Sequence, residues 1–286
     1  MKPASFEYHR VATVEHALER LGELGEDAKV LAGGQSLVPM MNFRLVRPSA
    51  LVDISRVPDL RYIARDGEAL RIGALTVHRE VETADDDLLE GFEVLKAAAP
   101  FVGHYPIRTR GTFGGSVAHG DPSSEWCMLA VAFDAEIVAR GPEGERRIPA
   151  AEFFLGFFTT TLEPGEVLTE VHFPRPMPRA AIEEFARRHG DYGIVATAVG
   201  VRGDDGACAE ARIVVGGVDE VPVRIAAAEE VLVGSDLGAD AIEEAARIAA
   251  SEVEPASDVH GSAGYRKHLT AVLVRRALRR AVADGR

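Results

Sequence analysis

The stretch 30-VLAGGQSLVPMMNFRL-45 places two adjacent glycines and two polar residues inside a run of aliphatic residues and methionines. A buried strand does not need Gly33 and Gly34, so something must approach this backbone too closely for a side chain. Adjacent glycines can point successive backbone N–H groups in one direction, and such a concave backbone binds phosphate. A tight turn between a strand and a helix explains the pair equally well. Neither GxGxxG nor a Lys-Ser/Thr pair follows, which excludes the Rossmann fingerprint and the P-loop.

A second glycine-rich stretch, 111-GTFGGSVAHGDPSSEW-126, lies about 80 residues further along. Its glycines are Gly111, Gly114, Gly115 and Gly120, and between them lie the polar residues Thr112, Ser116, His119, Asp121, Ser123 and Glu125. The pattern predicts a loop that donates backbone N–H groups to a pyrophosphate, while Asp121 or Glu125 accepts hydroxyl groups of a sugar-like chain. An Asp-Pro-Ser turn after a glycine-rich connection is the alternative. Two such loops together predict a diphosphate held in a cleft between subdomains.

Composition limits the classes of function. The chain has 286 residues, 47% hydrophobic and 27% charged, a length that indicates two domains or one domain with subdomains. The net charge of −13 argues against non-specific binding of nucleic acid or of an anionic membrane. Cys127 and Cys208 form no CxxC pair, so neither a disulfide framework nor a four-cysteine zinc or iron–sulfur site is expected. Both cysteines are expected in the core. No run of 18 apolar residues occurs, and a cytoplasmic protein without a membrane span is predicted.

Apolar spacing divides the chain into three units. Residues 1–55 contain a helix over 14–24, with Thr13 as its N-cap, and short strands at Lys29–Ala32 and Leu51–Ile54. In the second unit, residues 56–176, the pattern predicts strands at Leu70–Val77, Ala135–Ala139 and Val167–Phe173, and helices at Phe92–Phe101 and Cys127–Phe133. The run 174-PRPMP-178 is the predicted linker to the third unit.

The third unit, residues 177–286, begins with strands and ends with helices. The predicted strands Ile194–Val201 and Ala209–Val215 pair across the turn 202-RGDDGA-207, and the predicted helices are Val223–Leu232, Ala241–Glu252 and Tyr265–Val282. Because strands and helices fall in separate runs, the fold class is α+β and not a doubly wound parallel sheet.

Taken together, the two glycine-rich stretches resemble those of the FAD-binding medium subunits of molybdenum hydroxylases, of the carbon monoxide dehydrogenase and xanthine dehydrogenase type. Three further segments agree: 72-IGALTVH-78, 190-GDYGIVA-196 and 259-VHGSAGYRKHLTAVLVRRAL-278. The resemblance covers essentially the whole chain. It implies a vanillyl-alcohol-oxidase or PCMH-type FAD-binding domain of two α+β subdomains, followed by a C-terminal domain with a three-stranded antiparallel sheet and a helical bundle.

The resemblance also implies a set of residues around noncovalently bound FAD. The first stretch contributes Lys29, Val30, Leu31, Ala32, Gly33, Gly34, Gln35, Ser36 and Leu37. The second contributes Gly111, Thr112, Gly114, Gly115 and Ser116, with His119, Asp121 and Glu125 close by. The flavin ring is expected near His78, at the end of a strand, and near Tyr192 as a movable lid, while Phe101, Val102 and Leu168 supply apolar contacts. No catalytic residue and no metal ligand is expected in this chain, and Trp126 is expected in the core.

The implied function is electron transfer within a larger oxidoreductase. A small subunit with 2Fe–2S clusters would pass electrons to the FAD of this chain, a large subunit with molybdopterin would oxidise the substrate, and the heterotrimer would be doubled. Two alternatives stay open: a stand-alone flavin oxidoreductase of the same fold, and a scaffold that has lost FAD. No catalytic base or substrate pocket was found for the first, and the intact glycines argue against the second.

The chain departs from the family pattern in two places. Phe113 replaces the usual small aliphatic residue of the second stretch, a tolerable change in packing. Many relatives have a lysine shortly before an Arg-Arg pair, whereas this chain has Glu183 and Glu184 in that region. Arg187 or Arg188 is the expected substitute for that lysine.

Overall fold

The computed structural model describes residues 1–177, 179–203 and 206–283. Pro178 of the predicted linker, and Asp204 and Asp205 of the predicted turn, lie outside the described residues. No helix in the described ranges combines the length and the apolar character that crossing a membrane requires.

The first unit is a small parallel sheet. Its elements are β1 (Glu7–Arg10), α1 (Val14–Leu24), β2 (Ala28–Leu31), α2 (Leu37–Asn42) and β3 (Ala50–Asp53), and the strand order is β1-β3-β2. The predicted helix α1 is confirmed with its cap, because Thr13 Oγ1 accepts a hydrogen bond from the backbone N–H of His16. Helix α2 buries Met41 but leaves Phe43 and Leu45 after it exposed, so the apolar stretch is only partly a packed support.

A five-stranded antiparallel sheet forms the second unit. Its elements are β4 (Ile63–Asp66), β5 (Ala69–Gly73), α3 (His78–Glu82), α4 (Glu93–Ala98), α5 (Tyr105–Arg108), α6 (Phe113–His119), α7 (Glu125–Ala132), β6 (Glu136–Gly141), β7 (Gly144–Pro149), α8 (Ala150–Phe153), β8 (Phe154–Gly156), β9 (Thr159–Thr160) and β10 (Val167–Phe173). The sheet order is β4-β5-β10-β6-β7, and β8 and β9 form a separate hairpin. Strand β5 is shorter than predicted because it ends at Gly73 and not at Val77.

The third unit is an antiparallel sheet covered by helices. Its elements are β11 (Arg179–Phe185), β12 (Val195–Arg202), β13 (Glu210–Gly216), β14 (Val223–Arg224), α9 (Ala226–Leu232), α10 (Ala239–Glu252) and α11 (Ala263–Ala283). The predicted pairing of β12 with β13 and the three helices are confirmed. The first of these helices starts later than predicted, since Val223 and Arg224 add a short fourth strand to the three long ones.

Helix α7 connects the second and third units. All eight of its residues are buried, and it packs against α4 and α6 on one side and against β12 and β13 on the other. After Glu125 this helix carries only apolar side chains, on all its sides, and therefore requires such an enclosed position. Cys127 lies within it, Cys208 is also buried, and both are free thiols, which confirms their expected place in the core. Whether the chain divides at residues 55 and 176 into separate domains stays a prediction.

Candidate functional site

One cavity of about 710 Å³ contains all the predicted site residues. Its walls come from the first glycine-rich stretch, the second glycine-rich stretch, His78, the segment around Phe101 and Val102, and Leu168 at the start of β10. Gly190, Asp191 and Tyr192 reach it from the third unit. Residues that are far apart in the chain therefore line a single space whose volume suits a cofactor.

The first glycine-rich stretch presents a run of free donors to this cavity. The backbone N–H groups of Gly33, Gly34, Gln35 and Ser36 donate to no acceptor in the described parts of the chain. Gly34 has a φ of 72°, a conformation that glycine adopts without strain. The side-chain amide of Gln35 donates to the Gly33 carbonyl oxygen at 3.0 Å and holds the turn. Unpaired donors in consecutive residues are the arrangement that binds a phosphate group.

Position 33 requires glycine for a reason that differs from the sequence-based hypothesis of a closely approaching ligand. A Cβ atom at position 33 would lie 2.2 Å from the carbonyl oxygen of Arg110 and 2.8 Å from the Cα atom of Gly111. The backbone of Arg110 and Gly111, where the second stretch begins, and not a ligand, therefore excludes a side chain at Gly33. A Cβ at Gly115 would lie 3.7 Å from the Cβ of Ala32, which shows the same contact from the other side. The two stretches are in direct contact.

The second glycine-rich stretch is mostly helical, so its prediction as a loop is wrong. Thr112 caps α6 by accepting a hydrogen bond from the Gly115 N–H at 3.1 Å, and Gly120 ends the helix with a φ of 64°. The N–H groups of Phe113, Gly114 and Ser116 donate to backbone oxygens. These three donors are therefore not free for a pyrophosphate, whereas donation by other backbone N–H groups of this stretch, such as that of Thr112, stays a prediction. The second stretch lines the cavity with hydroxyl groups and close-packed glycines.

A buried carboxyl group, that of Glu125, and a half-buried one, that of Glu184, meet where the second and third units join. Burial raises the pKa of Glu125, at the start of α7, to about 7. Burial and the neighbouring Glu125 raise the pKa of Glu184, on β11, to about 9. The pair therefore holds a proton at neutral pH. Burial also raises the pKa of Asp121, whose carboxylate accepts a hydrogen bond from the Ser123 N–H at 2.8 Å.

The replacement of the missing lysine by Arg187 or Arg188 stays a prediction. Arg187 donates to the carbonyl oxygen of Val259 and Arg188 pairs with Asp191, and neither side chain lines the cavity. In the region where relatives have that lysine, this chain places Glu184 against Glu125.

Tyr192 stands at the mouth of the cavity, where its ring is 68% exposed. Partial burial of the hydroxyl group, with Asp121 and Glu125 nearby, raises the pKa of Tyr192. The segment before it turns at Gly190, where a Cβ atom would lie 2.1 Å from His104 Nδ1. Tyr192 thus lies on a loop that packs against the second unit.

Sequence reasoning missed the hairpin of β8 and β9 as part of the site. Phe158, Thr159 and Thr160 line the cavity, and the Phe158 ring stacks on His119 with 4.8 Å between the ring centroids. Phe158 has a φ of 53°, which is strained for an aromatic residue and directs its ring to this position. The only signal in the sequence was the run 157-FFTTT-161 between two predicted strands.

His78 begins helix α3, and the expectation that it ends a strand is wrong. Its side chain is 4% exposed, and its Nδ1 atom accepts a hydrogen bond from Trp126 Nε1 at 2.9 Å. Burial and the Arg108 guanidinium lower the pKa of His78 to about 3. The imidazole is therefore neutral. No group of three or more potential metal ligands occurs among the residues that the structure describes.

The cavity lies between the first two units, and the third unit closes it with an aromatic side chain. Unpaired backbone donors line this cavity. These features define a protein that binds a phosphate-containing cofactor. Residues 4–176 match the family described as FAD binding domain in molybdopterin dehydrogenase, and residues 180–281 match the CO dehydrogenase flavoprotein C-terminal domain. The chain belongs to this family of FAD-binding subunits of molybdopterin dehydrogenases. It is an FAD-containing oxidoreductase subunit.

Individual relatives match over their full length. The 6-hydroxypseudooxynicotine dehydrogenase complex subunit alpha of Paenarthrobacter nicotinovorans is 43% identical, over 100% of this chain and 97% of that protein. The carbon monoxide dehydrogenase medium chain of Hydrogenophaga pseudoflava is 37% identical, over 97% of each. The solved structure of carbon monoxide dehydrogenase from Hydrogenophaga pseudoflava superposes with a TM-score of 0.95 and 38% identity, over 99% of both chains. The predicted fold and family are confirmed.

Proposed function

We propose that this chain is the electron-transfer subunit of a molybdenum-dependent dehydrogenase complex. A small subunit with 2Fe–2S clusters delivers electrons to it, a large subunit with molybdopterin oxidises the substrate, and an external acceptor receives the electrons. Two such heterotrimers form the complete assembly. Support comes from relatives that are themselves named as subunits or medium chains of dehydrogenases, among them carbon monoxide dehydrogenase and the 6-hydroxypseudooxynicotine dehydrogenase complex.

One observation carries the proposal: the four unpaired N–H groups of Gly33 to Ser36, residues that all line the shared cavity. They fit the phosphates of FAD, because a diphosphate needs several donors that converge from one side. FAD, when bound, supplies the electron storage that protein side chains lack.

The remaining roles belong to side chains of this chain. Thr112 and Ser116 offer hydroxyl groups along the cavity, Leu168 and Val102 exclude water, and Tyr192 and Phe158 flank the mouth. The chain's task is to hold and orient the cofactor, so no catalytic residue is assigned. The stand-alone oxidoreductase is not favoured, because the relatives that match from end to end are subunits of complexes.

The test is to purify the full chain alone and co-expressed with the two neighbouring gene products. We expect a yellow preparation with a flavin absorption spectrum, one FAD per chain after denaturation, and co-purification of iron and molybdenum only in the co-expressed sample. A preparation that binds no FAD in either form would contradict the proposal. Turnover of an organic substrate by the isolated chain would favour the stand-alone enzyme instead. Cell fractionation tests the cytoplasmic location, which stays a prediction.

A further inference from the structure

His78 and Trp126 form a buried hydrogen-bonded pair behind the cavity. Trp126 is 0% exposed and packs on Phe113, with 4.6 Å between the ring centroids. Its indole N–H donates to His78 Nδ1 at 2.9 Å. An indole can only donate a hydrogen bond, so Nδ1 must be the acceptor nitrogen of the ring. The single proton of the neutral imidazole therefore resides on Nε2.

The protonation state of His78 is fixed as well as its tautomer. Burial disfavours the imidazolium, and so does the guanidinium of Arg108, which the carboxylate of Glu82 holds at 3.0 Å. The side chain that lines the cavity is consequently a neutral N–H donor at neutral pH.

The Nε2 atom of His78 has no partner within the described residues. Nε2 is unpaired but is not fully sealed from solvent. Because His78 lines the cavity, this accessible surface opens onto the cavity. Gly111 leaves this space free, since a Cβ atom there would lie 2.7 Å from Nε2. A donor that is almost completely buried, unpaired and directed into a cavity indicates a ligand acceptor.

We propose that the His78 Nε2–H group is a fixed hydrogen-bond donor to an acceptor atom of the bound FAD, and that Trp126 is the positioning residue that fixes this donor. The inference rests on the proposed function for the identity of the ligand. It gives Trp126, which the sequence indicated only as core, a specific role through its indole N–H.

The tautomer is tested without any substitution. The full chain is labelled with ¹⁵N-histidine, and long-range ¹H–¹⁵N correlation spectra are recorded, with the His78 signals assigned from the His78→Gln variant. We expect His78 to be entirely in the Nε2–H form and not to titrate while the protein stays folded. In Trp126→Phe the Nδ1–H form should appear. A wild-type His78 in the Nδ1–H form, or one that titrates as an ordinary histidine does, would overturn the inference.

The link to FAD is tested by a double-mutant cycle. FAD affinity is measured on the full chain, alone or with its partner subunits, for wild type, Trp126→Phe, His78→Leu and the double variant. Loss of one neutral hydrogen bond should weaken binding by about three- to tenfold in Trp126→Phe and in His78→Leu. The double variant should bind as His78→Leu does, because the indole acts only through the imidazole. His78→Gln, whose amide can replace the Nε2–H donor, should retain most of the affinity.

The outcomes separate the two proposals. If Trp126→Phe weakens FAD binding by the same factor with and without His78, Trp126 has only a packing role and the inference is wrong, while the proposed function stands. If the wild-type chain binds no FAD in either preparation, the proposed function fails and this inference fails with it.

Discussion

Replacing Gly33 by alanine is expected to reduce FAD affinity by at least about 100-fold. The single added methyl group would lie 2.2 Å from the carbonyl oxygen of Arg110. Backbone atoms cannot rotate away, so the two glycine-rich stretches must separate. Separation misplaces the N–H groups of Gly33 to Ser36, and the loss of two hydrogen bonds to a charged phosphate costs about 3 kcal/mol or more. Fluorescence titration of FAD with the purified variant measures the effect.

Gly22→Ala is the matched control, since Gly22 lies in α1 and a Cβ atom there meets no other atom within 4 Å. It should bind FAD as the wild type does and be slightly more stable, because alanine favours a helix. Gly34→Ala tests a different mechanism: its φ of 72° strains the backbone by about 1 kcal/mol, but only the side chains of Leu31 and Val38 lie near. Equal affinities for Gly33→Ala and wild type would show that the contact with Arg110 does not shape the phosphate site.

The free energy of unfolding is expected to fall with rising pH in the wild type, and to fall much less in Glu184→Gln. Unfolded, both carboxyl groups have an ordinary pKa of 4.5, whereas in the folded protein Glu125 is raised to about 7 and Glu184 to about 9. Between pH 4.5 and about 9 the folded state thus binds more protons than the unfolded state. The free energy of unfolding therefore falls as the pH rises through this range. One retained proton contributes a slope of about 1.4 kcal/mol per pH unit.

In Glu184→Gln the glutamine amide donates to Glu125, which can then ionise at lower cost. The variant should lose less stability between pH 4.5 and about 9, the interval over which the Glu184 pKa is displaced. Urea unfolding at a series of pH values measures this slope. Glu183→Gln is the control, because Glu183 is on the same strand and pairs with Arg280 at 3.6 Å instead. Parallel pH profiles for wild type and Glu184→Gln would mean that the carboxyl pair does not retain its proton.

Local chemistry let the sequence predict much of the fold. Helix α1 follows from apolar spacing and the Thr13 cap, and the strands β12 and β13 follow from their β-branched runs. The set of residues around the cavity was also predicted, but by resemblance to a family, because no single glycine pair identifies FAD. The helical form of the second stretch was missed because glycines disfavour a helix, and tertiary packing of Gly114 against Ala74 outweighs that preference.

The sequence by itself determined where glycine is required, which segments are apolar, and which family the chain resembles. Only the tertiary structure decided why Gly33 cannot carry a side chain, that Glu125 and Glu184 lie close enough for Glu125 to raise the pKa of Glu184, and that Trp126 donates to Nδ1 of His78. The physical reason is the distance along the chain over which each interaction acts. Helix caps and apolar periods act between neighbours in the chain, whereas Gly33 with Arg110 and His78 with Trp126 are pairs whose distance depends on how the sheets and α7 pack.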